Sequence, residues 1–168
     1  MTLTEFEPST TPTARQGGTP VVVVGIDGSP ASDQALLFAI KEAQLRRATL
    51  RIVSSHDPAA LSGYAGSWSI VPFEDGLREA CATMVADAAT TVASATLAQP
   101  VVVETTVASG RASRMLLDAS HDADLLVIGS RGAGALSRMM MGSTCTEVVH
   151  HAHVPVVVVP SHREDSAH

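Results

Sequence analysis

The chain has 168 residues, of which 45% are hydrophobic and 17% charged, with a net charge of -6 and a pI near 5.5. This length fits one domain with a sizeable buried core. The acidic balance argues against nucleic-acid binding and against binding to anionic membranes, because either function requires a basic surface. The two cysteines, Cys81 and Cys145, are too few for a disulfide framework and indicate reduced thiols in a cytoplasmic protein.

Polar segments flank the predicted domain. The first nineteen residues are rich in Thr, Pro, Ser and Gly and lack the apolar core of a signal peptide. We expect a disordered tail over residues 1–19, a domain over residues 20–160 and a second polar tail over residues 161–168. No apolar run approaches the length needed to span a membrane.

The first element is a continuous β-branched run over residues 21–26, which predicts a buried parallel strand. The sequence DGSP follows, and it indicates a turn with Ser29 as the N-cap and Pro30 as the first residue of a helix. That helix is expected to end near Arg47. Apolar residues at spacings of three and four predict its buried face: Leu36, Ala39, Ile40 and Ala43.

A second strand is predicted over residues 49–55. The next segment, residues 59–73, has no periodicity and holds the only Tyr and Trp of the chain, so it reads equally well as a lid and as a variable surface excursion. Residues 74–97 predict a long helix. One stripe of that helix is apolar: Leu77, Cys81, Met84, Val85, Ala88 and Val92.

The second half of the chain continues the alternation of strands and helices. A third strand is predicted over residues 101–107, and a helix after Gly110 carries Met115, Leu116 and Ala119 on its inner face. A fourth strand follows Asp122, and a fifth covers residues 154–160. This alternation predicts a parallel sheet with right-handed crossovers, for which two strand orders are common.

A glycine-rich loop, residues 129–144, lies between the fourth strand and a short helix over residues 145–151. Its glycines allow close approach of backbone N–H groups to an anion, and Ser143 and Thr144 stand where a helix N-terminus has unpaired donors. Arg131 and Arg138 add positive charge. The loop therefore indicates a phosphate-binding site, with a mobile surface loop as the alternative.

Two common nucleotide motifs are absent from the sequence. A Walker A loop requires Gly-Lys-Ser/Thr, and the only lysine is Lys41, in the first helix. A Rossmann dinucleotide site requires Gly-x-Gly-x-x-Gly in the first turn, where this chain has DGSP.

The glycine spacing resembles that of the ATP-binding members of the universal stress protein family. Their pattern is Gly, two residues, Gly, nine residues, Gly and then Ser or Thr, which Gly129, Gly132, Gly142 and Ser143 fit. The resemblance implies an α/β fold of the adenine nucleotide alpha hydrolase-like type. Such a fold is an open five-stranded parallel sheet, in the order 3-2-1-4-5, with helices on both faces. Ligands then bind beyond the carboxyl ends of strands one and four.

This geometry assigns provisional roles around an adenine nucleotide. We expect the phosphates to be held by the N–H groups of Gly132, Gly142, Ser143 and Thr144. By family analogy, backbone atoms of Gly25 and Gly129 would meet the ribose. The expected nucleotide-binding set is Gly25, Ile26, Asp27, Ser55, Ile128, Gly129, Arg131, Gly132, Gly142, Ser143 and Thr144.

Two of these roles have alternatives. Asp27 could face the ribose or a phosphate-bound Mg²⁺, or it could instead form an Asx turn that caps the following residues. Adenine would lie between Ile128 and either Ser54 or Ser55. Family members often have His-Val in place of the Ser54-Ser55 pair.

The resemblance implies an ATP-binding, nucleotide-dependent regulator of the stress response, and no catalytic residue is assigned. The alternatives are a weak ATPase, a member that binds cyclic AMP or AMP, and an adaptor that binds a protein partner without nucleotide. The resemblance also implies a homodimer, formed by antiparallel pairing of the last strand, with Val154 and Val159 at its ends.

Overall fold

The computed structural model describes residues 18–57, 70–132 and 141–160. Residues 1–17 and 161–168 of the two expected tails, residues 59–69 of the predicted irregular segment, and Arg138 lie outside the described residues. The elements in chain order are β1 (Val21–Gly25), α1 (Pro30–Arg46), β2 (Thr49–His56), α2 (Ile70–Ala95), β3 (Val103–Ser109), α3 (Ala112–Ser120), β4 (Leu125–Gly129), α4 (Ser143–His151) and β5 (Val156–Val159).

The five strands form one parallel sheet in the order β3-β2-β1-β4-β5, which confirms the expected fold class. β1 lies in the middle, where Val22 pairs with Leu50 on one side and with Leu125 on the other. The side chains of Val22, Val23 and Val24 are fully buried. A continuous β-branched run is therefore explained by a strand that is covered on both faces.

Helices cover both faces of the sheet, so the core has two parts. Helices α1 and α2 pack on one face, where Ala39 and Val92 belong to the same buried cluster as Val22 of β1. Helices α3 and α4 pack on the other face, where Leu116 and Val148 belong to the cluster that contains Val23. Successive valines of β1 thus alternate between the two parts of the core.

The start of α1 follows the sequence prediction. Ser29 is the N-cap, and its side chain accepts a hydrogen bond from the backbone N–H of Ser32. The helix ends at Arg46, and Arg47 takes a left-handed conformation with φ of 52°. The predicted inner face is confirmed, because all four of its apolar residues are buried.

Four elements begin at other positions than the sequence predicted, among them α4 at Ser143 rather than residue 145 and β5 at Val156 rather than residue 154. Helix α2 starts at Ile70, so it includes the last residues of the segment that was predicted to be irregular. Strand β3 starts at Val103 rather than at residue 101. The first paired residues of β2 and β3 are Leu50 and Val103, so Val101 and Val102 precede the paired part of the strand. Val102 is 66% exposed.

The inner face of α3 also differs from the prediction. The structure buries Ser113, Leu116 and Ser120, whereas Met115 is half-buried and packs beside Gly110. Two of these three buried residues are serines, so the spacing of apolar residues does not indicate this face. Among the described residues, no helix combines the length and the apolar character required to cross a membrane.

Candidate functional site

A cavity of about 530 Å³ opens at the carboxyl ends of β1, β2 and β4. All eleven residues of the expected nucleotide-binding set line it, and their roles in binding remain predictions. The structure adds five lining residues that the sequence did not indicate: Ser32, Val53, Ala112, Leu116 and Cys145.

The β1–α1 turn is joined to the loop after β4 by hydrogen bonds. Asp27 Oδ1 accepts a hydrogen bond from the Ser29 N–H at 3.0 Å, which is the Asx turn considered from the sequence. The Ser29 hydroxyl caps α1 and also donates to the Arg131 carbonyl at 3.3 Å. One serine therefore fixes the start of α1 and the path of the distant loop.

Two glycines of the motif are explained by close packing inside the protein. A Cβ at Gly129 would lie 2.9 Å from the backbone carbonyl carbon of Ala31, so the glycine allows α1 to start beside β4. A Cβ at Gly132 would lie 2.6 Å from Asp27 Oδ2. These glycines hold the loop against the β1–α1 turn whether or not a ligand is present.

Gly142 is different. It has φ of -63° and ψ of 154°, which any residue can adopt, and a Cβ there would find its nearest neighbour at 3.5 Å. Its N–H donates to the Ser130 carbonyl at 2.9 Å. The loop itself thus uses this donor in the described structure, and its expected contact with phosphate stays a prediction.

The N-terminus of α4 supplies donors that the helix does not use. Gly142 is the N-cap and has no side chain with which to cap the first N–H groups. In the first turn of a helix these groups lack intrahelical acceptors, and the helix dipole makes the end favourable for an anion. Ser143, Thr144 and Cys145 belong to this turn and line the cavity.

Cys145 anchors the same turn in the core. Its side chain is 2% exposed and packs in the cluster beneath α3 and α4. Burial raises the pKa of the Cys145 thiol, since a thiolate would lose its solvation there. The thiol is thus a packing group that stays neutral near pH 7.

Residues of β2 and α3 give the cavity apolar lining. Val53 and Ser55 of β2 line it, together with Ala112 and Leu116 of α3. Ser54 does not line it; this residue is 3% exposed and its hydroxyl lies 3.9 Å from Met84 Sδ, against α2. Of the two serines left open by the sequence, only Ser55 therefore lies at the cavity.

Ala112 and Leu116 could not be placed at the site from the sequence. Leu116 was predicted to face the core, but local periodicity does not say where α3 lies across the sheet. A Cβ at Gly25 would lie 2.8 Å from Leu116 Cδ2, which shows how closely α3 covers the end of β1.

Metal ligands are not clustered in the part of the chain that the structure describes. No group of three or more His, Cys, Asp or Glu residues there could hold a metal ion. A divalent cation at this cavity would need other ligands, such as phosphate oxygens.

The family model described as "Universal stress protein family" matches residues 19–160. The chain belongs to the universal stress protein family. The described cavity, with the glycine loop after β4 and the turn after β1, therefore lies within the matched domain.

Curated universal stress proteins are related to the chain by sequence. A universal stress protein of Mycolicibacterium smegmatis is 35% identical over 148 residues, which cover 87% of this chain and 49% of the relative. Universal stress protein Rv2623 of Mycobacterium tuberculosis is 34% identical over 150 residues, covering 86% and 48%. The chain thus spans about half the length of these relatives.

Solved structures of universal stress proteins share the fold. UspA from Lactobacillus plantarum superimposes with a TM-score of 0.70 at 24% identity, covering 83% of this chain and 97% of that one. A universal stress protein in complex with cAMP gives 0.61 at 23% identity, covering 86% and 98%. The Archaeoglobus fulgidus protein in complex with dAMP gives 0.54 at 21% identity, covering 84% and 98%.

Proposed function

We propose that this universal stress protein binds ATP, with Mg²⁺, and acts as a nucleotide-dependent regulator in the stress response. The observation that carries the proposal is the cavity itself. It combines the uncapped N-terminus of α4 with apolar lining from β2 and α3. Those two kinds of lining suit the phosphates and the base of one nucleotide.

The proposed phosphate contacts are the N–H groups of Ser143 and Thr144, the Ser143 hydroxyl and the backbone of Gly132. Each charge-assisted hydrogen bond contributes about 1.5 to 3 kcal/mol. Three or four of them suffice for micromolar affinity, about -8 kcal/mol, after the costs of ordering the ligand are subtracted. Arg131 lines the cavity and adds a positive charge beside the loop.

Asp27 is the proposed protein contact of Mg²⁺. Its Oδ1 accepts from the Ser29 N–H, and its Oδ2 faces the backbone of Gly132 in the glycine loop. Magnesium is commonly bound by one or two carboxylates together with the phosphates of a nucleotide and water. The cation would balance phosphate charge at the point where the two loops meet.

A second candidate ligand is an adenine monophosphate, either AMP or cyclic AMP. The solved complexes of family members with cAMP and dAMP favour it. Denaturing the purified protein and identifying the released small molecules by mass spectrometry separates the candidates. Recovered ATP supports the leading proposal, ADP supports a weak ATPase, and cyclic AMP or AMP supports second-messenger or energy sensing.

The test of the phosphate assignment is Gly142→Glu. A Cβ at Gly142 would make only ordinary contacts, the nearest at 3.5 Å, and the glutamate places a negative charge at the start of α4. We expect ATP affinity to fall at least about tenfold, or about 1.4 kcal/mol, with the fold retained. Calorimetry with ATP and Mg²⁺ measures the change.

Gly76→Glu is the matched control. Gly76 lies in α2, where a Cβ would have no neighbour within 4 Å, so this variant adds the same charge away from the cavity. Unchanged ATP binding in Gly142→Glu would refute the phosphate assignment. Failure of the wild-type protein to bind any adenine nucleotide would favour an adaptor that works without one.

We further propose that the protein is a homodimer that pairs through β5. This strand lies at the edge of the sheet beside β4, and its four valines are half-buried in the single chain. An apolar edge strand favours pairing with another strand.

The two cysteines are unpaired and buried, which fits the proposed cytoplasmic location.

A further inference from the structure

One partly buried hydrogen bond joins the two helices that flank the cavity. The Ser113 hydroxyl of α3 donates to Glu147 Oε2 of α4 at 2.8 Å. Ser113 is 3% exposed, and the two residues are 34 positions apart in the chain. This bond therefore serves the relative position of two helices and not the internal structure of either.

Both bonded residues belong to helices that also contribute lining residues to the cavity. The donor of this bond is flanked on α3 by Ala112 and Leu116, which form part of the apolar lining. Its acceptor is one turn after Ser143, the first residue of the helix whose N-terminus faces the cavity. A hydrogen bond here connects the wall proposed for the base to the helix end proposed for the phosphates.

We propose that Ser113 and Glu147 are positioning residues that set the separation of these two walls, and so select ligands that contact both walls at once. The inference rests on the proposed nucleotide site. A ligand with both a base and phosphates gains from two contacts held at a matching distance, whereas a ligand that contacts one wall does not. The two residues thus act on affinity without touching the ligand.

The test compares three ligands of the full-length protein by calorimetry: ATP, adenosine and inorganic tripolyphosphate. Ser113→Ala and Glu147→Ala each remove this hydrogen bond and keep the apolar packing between the helices. We expect ATP affinity to fall at least about fivefold in both, while the affinities for adenosine and tripolyphosphate stay within about twofold of the wild type. The double variant should bind ATP no more weakly than the single variants, because one bond is lost in each.

Two further variants separate positioning from charge and from stability. Glu147→Gln keeps an acceptor oxygen without the charge, so it should bind ATP within about twofold of the wild type. Ser120→Ala removes an equally buried hydroxyl from α3, but that hydroxyl bonds to the Leu117 carbonyl within the same helix. This control should leave ATP affinity unchanged.

The outcomes are distinct. Unchanged ATP affinity in Ser113→Ala and Glu147→Ala overturns the positioning role and leaves the nucleotide site standing. An equal loss for all three ligands also overturns it, because general destabilisation would explain that pattern. If the wild type does not bind ATP, the proposed function and this inference fail together.

Discussion

At the scale of single residues, the three glycines of the motif have different physical reasons. Gly129 admits the backbone of α1 and is required by packing, whereas a Cβ at Gly132 would meet the end of the Asp27 side chain. Gly142 has neither a close neighbour nor an unusual backbone conformation. Its lack of a side chain is best explained by the ligand proposed to lie over it.

This difference predicts the effects of alanine on stability. Gly129→Ala should lower the free energy of unfolding by about 1 to 3 kcal/mol, because its Cβ would meet backbone atoms of Ala31 that cannot move aside easily. Gly142→Ala should change it by less than about 0.5 kcal/mol. Urea denaturation measures both. Equal effects of the two substitutions would contradict the distinction.

Cys145 gives the protein a predicted dependence on alkaline pH. Burial raises the pKa of its thiol above the unfolded value, so the neutral form is favoured by folding. The resulting stabilisation is fully present below the unfolded pKa and is lost as the pH rises through the folded pKa. The free energy of unfolding should therefore decline above about pH 8.5.

The Cys145→Ala variant isolates this contribution. It should be less stable than the wild type at pH 7, because a buried side chain is shortened, but its decline at alkaline pH should be shallower. Other titrating groups contribute equally to both proteins, so the difference between their pH profiles reports Cys145. Parallel profiles in urea denaturation would show that its ionisation is not coupled to folding.

At this scale the sequence indicated residues that share one cavity but not the use of each donor. The glycine spacing, the position of Asp27 and the family resemblance together gave the eleven residues that line this cavity. The same spacing could not show that the Gly142 N–H is taken by the Ser130 carbonyl, since that depends on how the loop closes. The sequence also could not show which of Ser54 and Ser55 lies at the cavity. Successive residues of a strand face opposite sides of the sheet, and no local pattern shows which side holds the cavity.

At the scale of elements, apolar runs and turn residues were sufficient to predict all five strands and four helices of the described chain. Long-range partners decided the rest. The start of β3 depends on where β2 begins, and the inner face of α3 includes Ser113, whose hydroxyl finds its acceptor on Glu147 of α4. Such partners are far apart in the chain and leave no local pattern.

Arg51 is the polar connection between β2, β3 and the end of α3. Its side chain is 18% exposed and bonds to Asp122 at 2.6 Å, Glu104 at 2.9 Å and the Ala119 carbonyl at 2.8 Å. The hydrogen bond to Asp122 is the main reason that the pKa of Arg51 is raised, whereas burial lowers it. The guanidinium therefore stays charged, and its loss would leave several acceptors without their donor.

Arg51→Met should lower the free energy of unfolding by about 1 to 2 kcal/mol, between the values for exposed and buried ion pairs. The control is Arg114→Met, which removes a pair with Asp118 at 3.3 Å whose side chains are 74% and 59% exposed. That change should cost less than about 0.5 kcal/mol. Thermal or urea unfolding that ranks the two equally would refute the role given to Arg51.

At the scale of the whole molecule, the strand order makes β1 and β4 neighbours in the sheet. The turn after β1 and the loop after β4 therefore lie side by side, and both line the cavity. The alternation of elements predicted the parallel sheet, and the family resemblance implied its order. The same order leaves β5 at an edge. Its backbone pattern allows a direct test of the proposed dimer.

Pro155 and Val159 direct their carbonyls to β4, so the backbone groups of Val158 point to the open edge of the sheet. Val158→Pro removes an outward N–H and should convert the proposed dimer to a monomer. Val158→Ala is the control, because it shortens the same side chain and keeps the N–H. Light scattering that finds a wild-type monomer at micromolar concentration would refute the dimer.

The central place of β1 also has a consequence for synthesis on the ribosome. Val21 donates its N–H to Asp124, 103 residues later, and the adjoining edge of β1 stays open until β4 has been made. At ordinary elongation rates of about 5 to 20 residues per second, that takes about 5 to 20 seconds. During this time the nascent chain exposes a run of valines, so ribosome-bound fragments that stop before β4 should be the forms that require chaperones.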